Sequence, residues 1–280
     1  MRDAIDRAVG AGELDELVNL LNDAETSDLQ YAARRLASTN GDIPPFRKMD
    51  KLATTDSVAA RIIACHLARP AFAEDQDATL ASLRKLADDM DSSVRAAACT
   101  ACGHLLRRDF VPVLERLRAW ITHESSEVRR AVVVAASRTS RHDRPEWGEP
   151  LLRLLEPLVI DRDPGVRRSL GPAAIATNLL ADYPMIAFEY VVKWSTLQDE
   201  QALWNVAMSF SGPAAAPIVK KALIVLRKLS LDERRYVWRA VSSAMWKLGR
   251  RRPDIVRPEL GRWLEDERRI DVARAALEHI

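Results

Sequence analysis

The residues able to do chemistry are few. Cys99-x-x-Cys102 with His104 close behind it, and Cys65-His66 earlier in the chain, are the types that hold zinc. Zinc ligands usually come from turns or ribbons, and no second Cys-x-x-Cys exists. On a helix, Cys102 falls among the apolar residues, so the cysteines are expected to be small buried hydrophobes, and no metal site is assigned. No glycine-rich loop follows a strand, and neither G-x-S-x-G nor H-E-x-x-H occurs, so no catalytic residue and no small-molecule cofactor are assigned. Arginine remains. Arg107, Arg130, Arg141, Arg168, Arg239 and Arg250 recur at related places in the sequence, with Asn205 and Trp246 among them. A guanidinium is a planar fork of donors suited to carboxylate or phosphate.

What must position these residues is a repeat of about 35 residues. The segments 91–106, 126–140, 163–180, 235–249 and 271–280 align on Val94, Val128, Val166, Val237 and Val272, in steps of 34, 38, 71 and 35. The long step is two repeats, with its missing anchor at Leu203, and counting back from Val94 gives Val58. A weaker copy lies at 27–38. Shorter apolar helices alternate with these, with Pro112, Pro150, Pro184, Pro217 and Pro258 in or near their first turns, where a missing N–H costs little. Asp91, Ser126, Asp163 and Asp232 are expected N-caps of the longer helices. The expected fold is all-α: a right-handed solenoid of about eight antiparallel helix pairs, in one domain over 1–280. The repeated D-x-x-V-R pattern, as in Asp91/Val94/Arg95 and Asp163/Val166/Arg167, resembles the HEAT repeat family. That resemblance implies a ladder of acid–arginine contacts between successive turns, and Asp89/Arg95, Glu124/Arg130, Asp161/Arg167 and Glu233/Arg239 look like its members.

Advancing about 100° per residue from the anchor valine puts positions 0, +4, +7, +8 and +11 on one core face. Position +1 turns toward the neighbouring repeat and holds Arg95, Arg129 and Arg167. Positions +2, +6, +9 and +13 point into a concave groove. There Arg130, Arg168, Asn205 and Arg239 share +2, Trp246 takes +9, and Arg107, Arg141 and Arg250 take +13. No acid fills these positions in the third, fourth, fifth and seventh repeats. With helices spaced roughly 10 Å apart, the +2 arginines would form a line of about 30 Å. Such a groove suits duplex DNA or an acidic protein segment. Trp120, Trp194 and Trp263 recur near the ends of outer helices as packing residues, whereas Trp246 is placed to stack on a ligand.

Composition agrees with a helical, soluble chain: 280 residues, 48% hydrophobic and 29% charged. The net charge of +2 makes no global case for nucleic acid, but residues 230–280 carry twelve Arg or Lys against nine acids. No apolar run suits a signal peptide or a membrane span, and three cysteines are too few for a disulfide framework, so a cytoplasmic location and no membrane partner are expected.

The stretch 166–194 and its echo 236–263 look like the paired-helix repeats of AlkD/AlkC-type DNA alkylation-repair glycosylases. That resemblance implies a basic groove for duplex DNA and, as an alternative function, excision of alkylated purines; a third function is assembly scaffold. The enzymes' catalytic pattern, a groove Trp with an Asp one turn later, has no match here: Trp120 and Trp263 are followed at that spacing by Glu124 and Glu267, at outer-helix ends.

Overall fold

The computed structural model describes residues 1–22, 24–39 and 43–280, and their regular structure is entirely helical. Among the described residues, no helix is long and apolar enough to cross a membrane. The chain forms two compact units, Met1–Ala135 and Ala136–Ile280.

In the first unit, the helices Thr26–Ser38, Val58–His66 and Ser92–Arg108 alternate with Pro45–Ala53, Gln76–Ala87 and Phe110–Arg118. Val58–His66 packs against both Thr26–Ser38 and Ser92–Arg108, so the inner helices lie side by side, as in a solenoid. Helix starts are set by local chemistry. The Asp91 carboxylate accepts from the Ser93 and Val94 amides, and Ser57 and Asp75 cap their helices in the same way. The expected core face of Ser92–Arg108 is buried at Val94, Ala98, Ala101, Cys102 and Leu105. Val58 is not an anchor: it is 38% exposed, whereas Ala60, Ala64 and Leu67 are buried. The second repeat is therefore anchored on Ala60, two residues later.

In the second unit, the inner row is the segment 164–182, then Glu200–Met208, Arg235–Arg251 and Ile270–Leu277, each packed on the next. Pro184–Trp194, Val219–Leu229 and Pro253–Leu264 cover its outside. Asp163 and Asp199 cap their helices. Asp232 does not cap Arg235–Arg251, where no side chain accepts; its carboxylate instead holds the Arg234 amide and guanidinium. The capping hydroxyl before Val128 belongs to Ser125, one residue ahead of the expected Ser126. Pro258 lies inside a helix that Pro253 begins. In 164–182 the middle stretch Leu170–Leu179 winds in wide π turns. Pro172 explains this, since it brings no N–H and its ring collides with the carbonyl four residues back.

Close approach of backbone from a neighbouring repeat fixes two glycines. A Cβ on Gly212 would stand 2.1 Å from the Ala176 carbonyl oxygen, and one on Gly171 would stand 2.7 Å from that of Asn205. Backbone cannot yield as a flexible side chain does, so Gly212→Ala is expected to cost about 3 kcal/mol by overpacking. Urea unfolding checks this, and an unchanged midpoint would contradict the contact.

The outer tryptophans are buried as expected: Trp120, Trp194 and Trp263 are each under 5% exposed. Their indole N–H groups find carboxylates where these are near, Trp194 on Glu156 at 3.0 Å and Trp263 on Glu259 at 2.8 Å. Burial pushes the Glu259 pKa up, but hydrogen bonds from Arg227, Arg262 and Trp263 outweigh it and hold the carboxyl at about 2. Its folded pKa lies below the unfolded value of about 4.3, so it stabilises the fold above that pH and loses this as pH falls toward 2. Glu259→Gln is expected to flatten stability between about pH 5 and pH 2. A denaturation series across that range would refute the assignment if both proteins lost stability in parallel.

Candidate functional site

The ladder comes first, because it decides which arginines are already engaged. At position +1, Arg95 Nη1 donates to the Asp89 and Met90 carbonyls at 2.7 and 2.9 Å, and Arg129 Nη1 to those of His123 and Glu124 at 2.8 and 2.9 Å. Arg61, at +1 once the anchor moves to Ala60, donates to the Thr55 carbonyl at 2.9 Å. Each donates to the carbonyl six residues back, closing the turn before its helix. Carboxylates join successive repeats, Asp89 to Arg61 at 2.8 Å and Glu127 to Arg95 at 3.4 Å. Arg167 departs from this pattern: its Nη1 donates to Gln201 Oε1 and the Tyr236 hydroxyl.

The expected groove residues divide into engaged and unengaged. Arg130 is half-buried and holds Glu127 at 2.7 Å, not the expected Glu124. Arg141 is exposed and clasps Asp143 through two bonds of 2.8 and 2.6 Å. Arg107 is exposed. Arg250 lies over the Trp246 ring at 5.9 Å and Lys247 at 5.7 Å, with the His279 ring 5.6 Å away. Trp246 is thus half-buried beneath cations. Arg168 and Arg239 are exposed and make no ion pair among the described residues; the same holds for Arg274.

Asn205 corrects the expected register. It is 1% exposed, and so cannot meet a groove ligand. Its Nδ2 donates to the Val159 carbonyl at 2.9 Å and its Oδ1 accepts from the Gly171 amide at 3.1 Å, tying two repeats together. The buried residues Ala202, Val206 and Phe210 put the anchor at Ala202, one before Leu203. Even spacing could have revealed this, because Ala202 divides the 71-residue step into 36 and 35. Position +2 then holds Trp204.

In the second unit, +2 therefore reads Arg168, Trp204, Arg239 and Arg274 along four successive inner helices. Trp204 stacks on Tyr236 with centroids 5.9 Å apart and planes 16° from parallel. The Arg167 guanidinium lies 5.7 and 5.1 Å from these two rings. Burial raises the Tyr236 pKa against the pull of Arg167. A clamped aromatic pair between exposed arginines offers a stacking surface and anion donors together.

The first unit adds a feature the sequence did not single out. A cavity of about 440 Å³ is lined by His66, Arg69, His104, Arg107 and Arg108, with alanines and Leu105 behind them. A second cavity shares His66 and adds Arg34. With the second anchor at Ala60, His66 and Arg69 fall at +6 and +9, the groove positions. Cys65, Cys99 and Cys102 are buried, and burial pushes the Cys65 and Cys102 thiols up, as suits packing residues.

Residues 80–174 match the family model for HEAT repeats. AP-3 complex subunit beta of Saccharomyces cerevisiae is 30% identical over 164 residues, which covers 54% of this chain and 20% of that protein. The chain thus spans about a fifth of that relative's length. Among solved structures, AlkD2 from Streptococcus mutans is 15% identical with a TM-score of 0.37, covering 99% of each chain. Computationally designed armadillo repeat proteins for modular peptide recognition are 19% identical with a TM-score of 0.30, covering 84% of this chain and 99% of theirs. The similarity to HEAT repeats thus lies over residues 80–174, and the chain on either side of them is helical among the described residues.

Proposed function

We propose that this protein is a binding module whose inner-helix faces take an extended polyanion, with duplex DNA as the partner. One observation carries this: Arg168, Arg239 and Arg274 share a repeat position on one row of helices and stand exposed with no ion pair among the described residues. Some other arginines have a carboxylate two residues away that holds them, as in Arg141/Asp143, Arg234/Asp232 and Arg252/Asp254. Exposed guanidinium groups with no carboxylate on them, repeated along one row, leave their charge and donors available to an extended anionic partner. Trp204 between Arg168 and Arg239 adds a ring on which an exposed base can stack.

An acidic protein segment is the second reading, favoured by the yeast relative, which is by name a subunit of a complex. Fluorescence anisotropy separates the two. The full chain is titrated with labelled duplex DNA and with a poly-glutamate peptide of matched charge, at several salt concentrations. Tighter binding of DNA with a steep salt dependence supports the first reading. Preference for the peptide would replace it with the second, and no binding of either would remove both.

A further inference from the structure

The cavity of the first unit is separate from the row of arginines just described. Arg69 follows the helix Val58–His66, while His104, Arg107 and Arg108 come from Ser92–Arg108, which packs beside it. Five basic side chains thus surround about 440 Å³, and no carboxylate among the described residues lines the space. Arg108 leans on an acid at the rim, Asp109 at 3.3 Å. Arg69, and Arg34 in the adjoining cavity, make no ion pair among the described residues. Arg69 and Arg34 thus bring cationic charge that an anion in this space would neutralise. The remaining lining is small and apolar, at Ala68, Ala97, Ala101 and Leu105, with the Thr100 hydroxyl nearby. A basic wall facing an apolar floor suits a ligand with one anionic end and one apolar or planar body. The volume falls in the range of small-molecule sites, roughly 300–1,000 Å³.

We propose that this cavity binds a small phosphate monoester, with the phosphate held by His66, Arg69, His104 and Arg107 and the body resting on the alanine floor. Arginine forks supply paired donors to the phosphate oxygens, and each imidazole supplies a further N–H. Burial, and then the nearby His104, holds the His66 pKa below its ordinary value, so an anion arriving there gains a histidine that it can recharge.

The test uses the full chain titrated with phenyl phosphate, AMP, inorganic phosphate and phenol at constant ionic strength. Heats are measured by calorimetry and the His66 and His104 ring signals by NMR. The monoesters are expected to bind more tightly than inorganic phosphate, phenol to be silent, and both imidazoles to shift. Arg69→Ala is expected to weaken phenyl phosphate about tenfold or more, as loss of a charge-assisted bond does. Arg69 is exposed, so the variant keeps its fold, and its melting curve verifies this. Arg153→Ala, on an outer helix, is expected to leave binding unchanged. No imidazole shift with any phosphate, or equal binding by wild type and Arg69→Ala, would overturn the proposal. Binding of duplex DNA that depends on Arg69 while the small phosphates stay silent would also overturn it.

Discussion

Asn205→Asp is expected to destabilise the protein by about 4 kcal/mol or more at neutral pH, enough to unfold much of it. The side chain is 1% exposed, and its Nδ2 donates to the Val159 carbonyl at 2.9 Å. Aspartate puts an anionic oxygen against that carbonyl in a space buried from solvent. The Gly171 amide at 3.1 Å offsets only part of this, since it already has an acceptor in the wild type. Asn205→Ala is expected to cost less, about 2–3 kcal/mol, for two unpaired backbone groups and a small void. Protonation at low pH should narrow the gap between the two variants. Urea unfolding at about pH 7 and pH 4 measures this. A stable Asn205→Asp protein would return the residue to the surface, where an added acid would only weaken anion binding.

How much of this was legible in the sequence depended on the register. Where a β-branched valine marks the anchor, as at Val94, Val128, Val166 and Val237, the period and the core face follow directly, because helical geometry fixes which residues share a side. Where alanine fills the anchor, no residue type marks it, and Val58 and Leu203 were apolar neighbours of the true positions. A shift of one residue turns a side chain by about 100°, which moved Asn205 from groove to core and Trp204 into its place. A shift of two hid His66 and Arg69. The pairing of individual arginines was less legible still. Arg130 and Arg141 look like Arg168 and Arg239 in the sequence, yet rotamers bring Glu127 and Asp143 onto the first two. Arg167 instead meets Gln201 and Tyr236, both from later repeats, which nothing in the residues around its own turn foretells.

Arg168 and Arg239 give the second large effect, in binding. The double variant Arg168→Ala/Arg239→Ala is expected to bind duplex DNA at least tenfold more weakly at low salt, about equally for all sequences, because phosphate contacts position a duplex without reading it. Each arginine on a phosphate releases a counterion, so the slope of log affinity against log salt should fall by about 0.9 for each arginine removed, or nearly two in all. Both side chains are exposed and carry no ion pair among the described residues, so the fold should survive their removal. Arg153→Ala serves as control, since Arg153 is exposed on an outer helix and held by Glu149. The decisive measurement is anisotropy of wild type, double variant and control with one labelled duplex over a salt series. A slope lowered by nearly two in the double variant alone is the result this account predicts. Three parallel lines of equal affinity would contradict it.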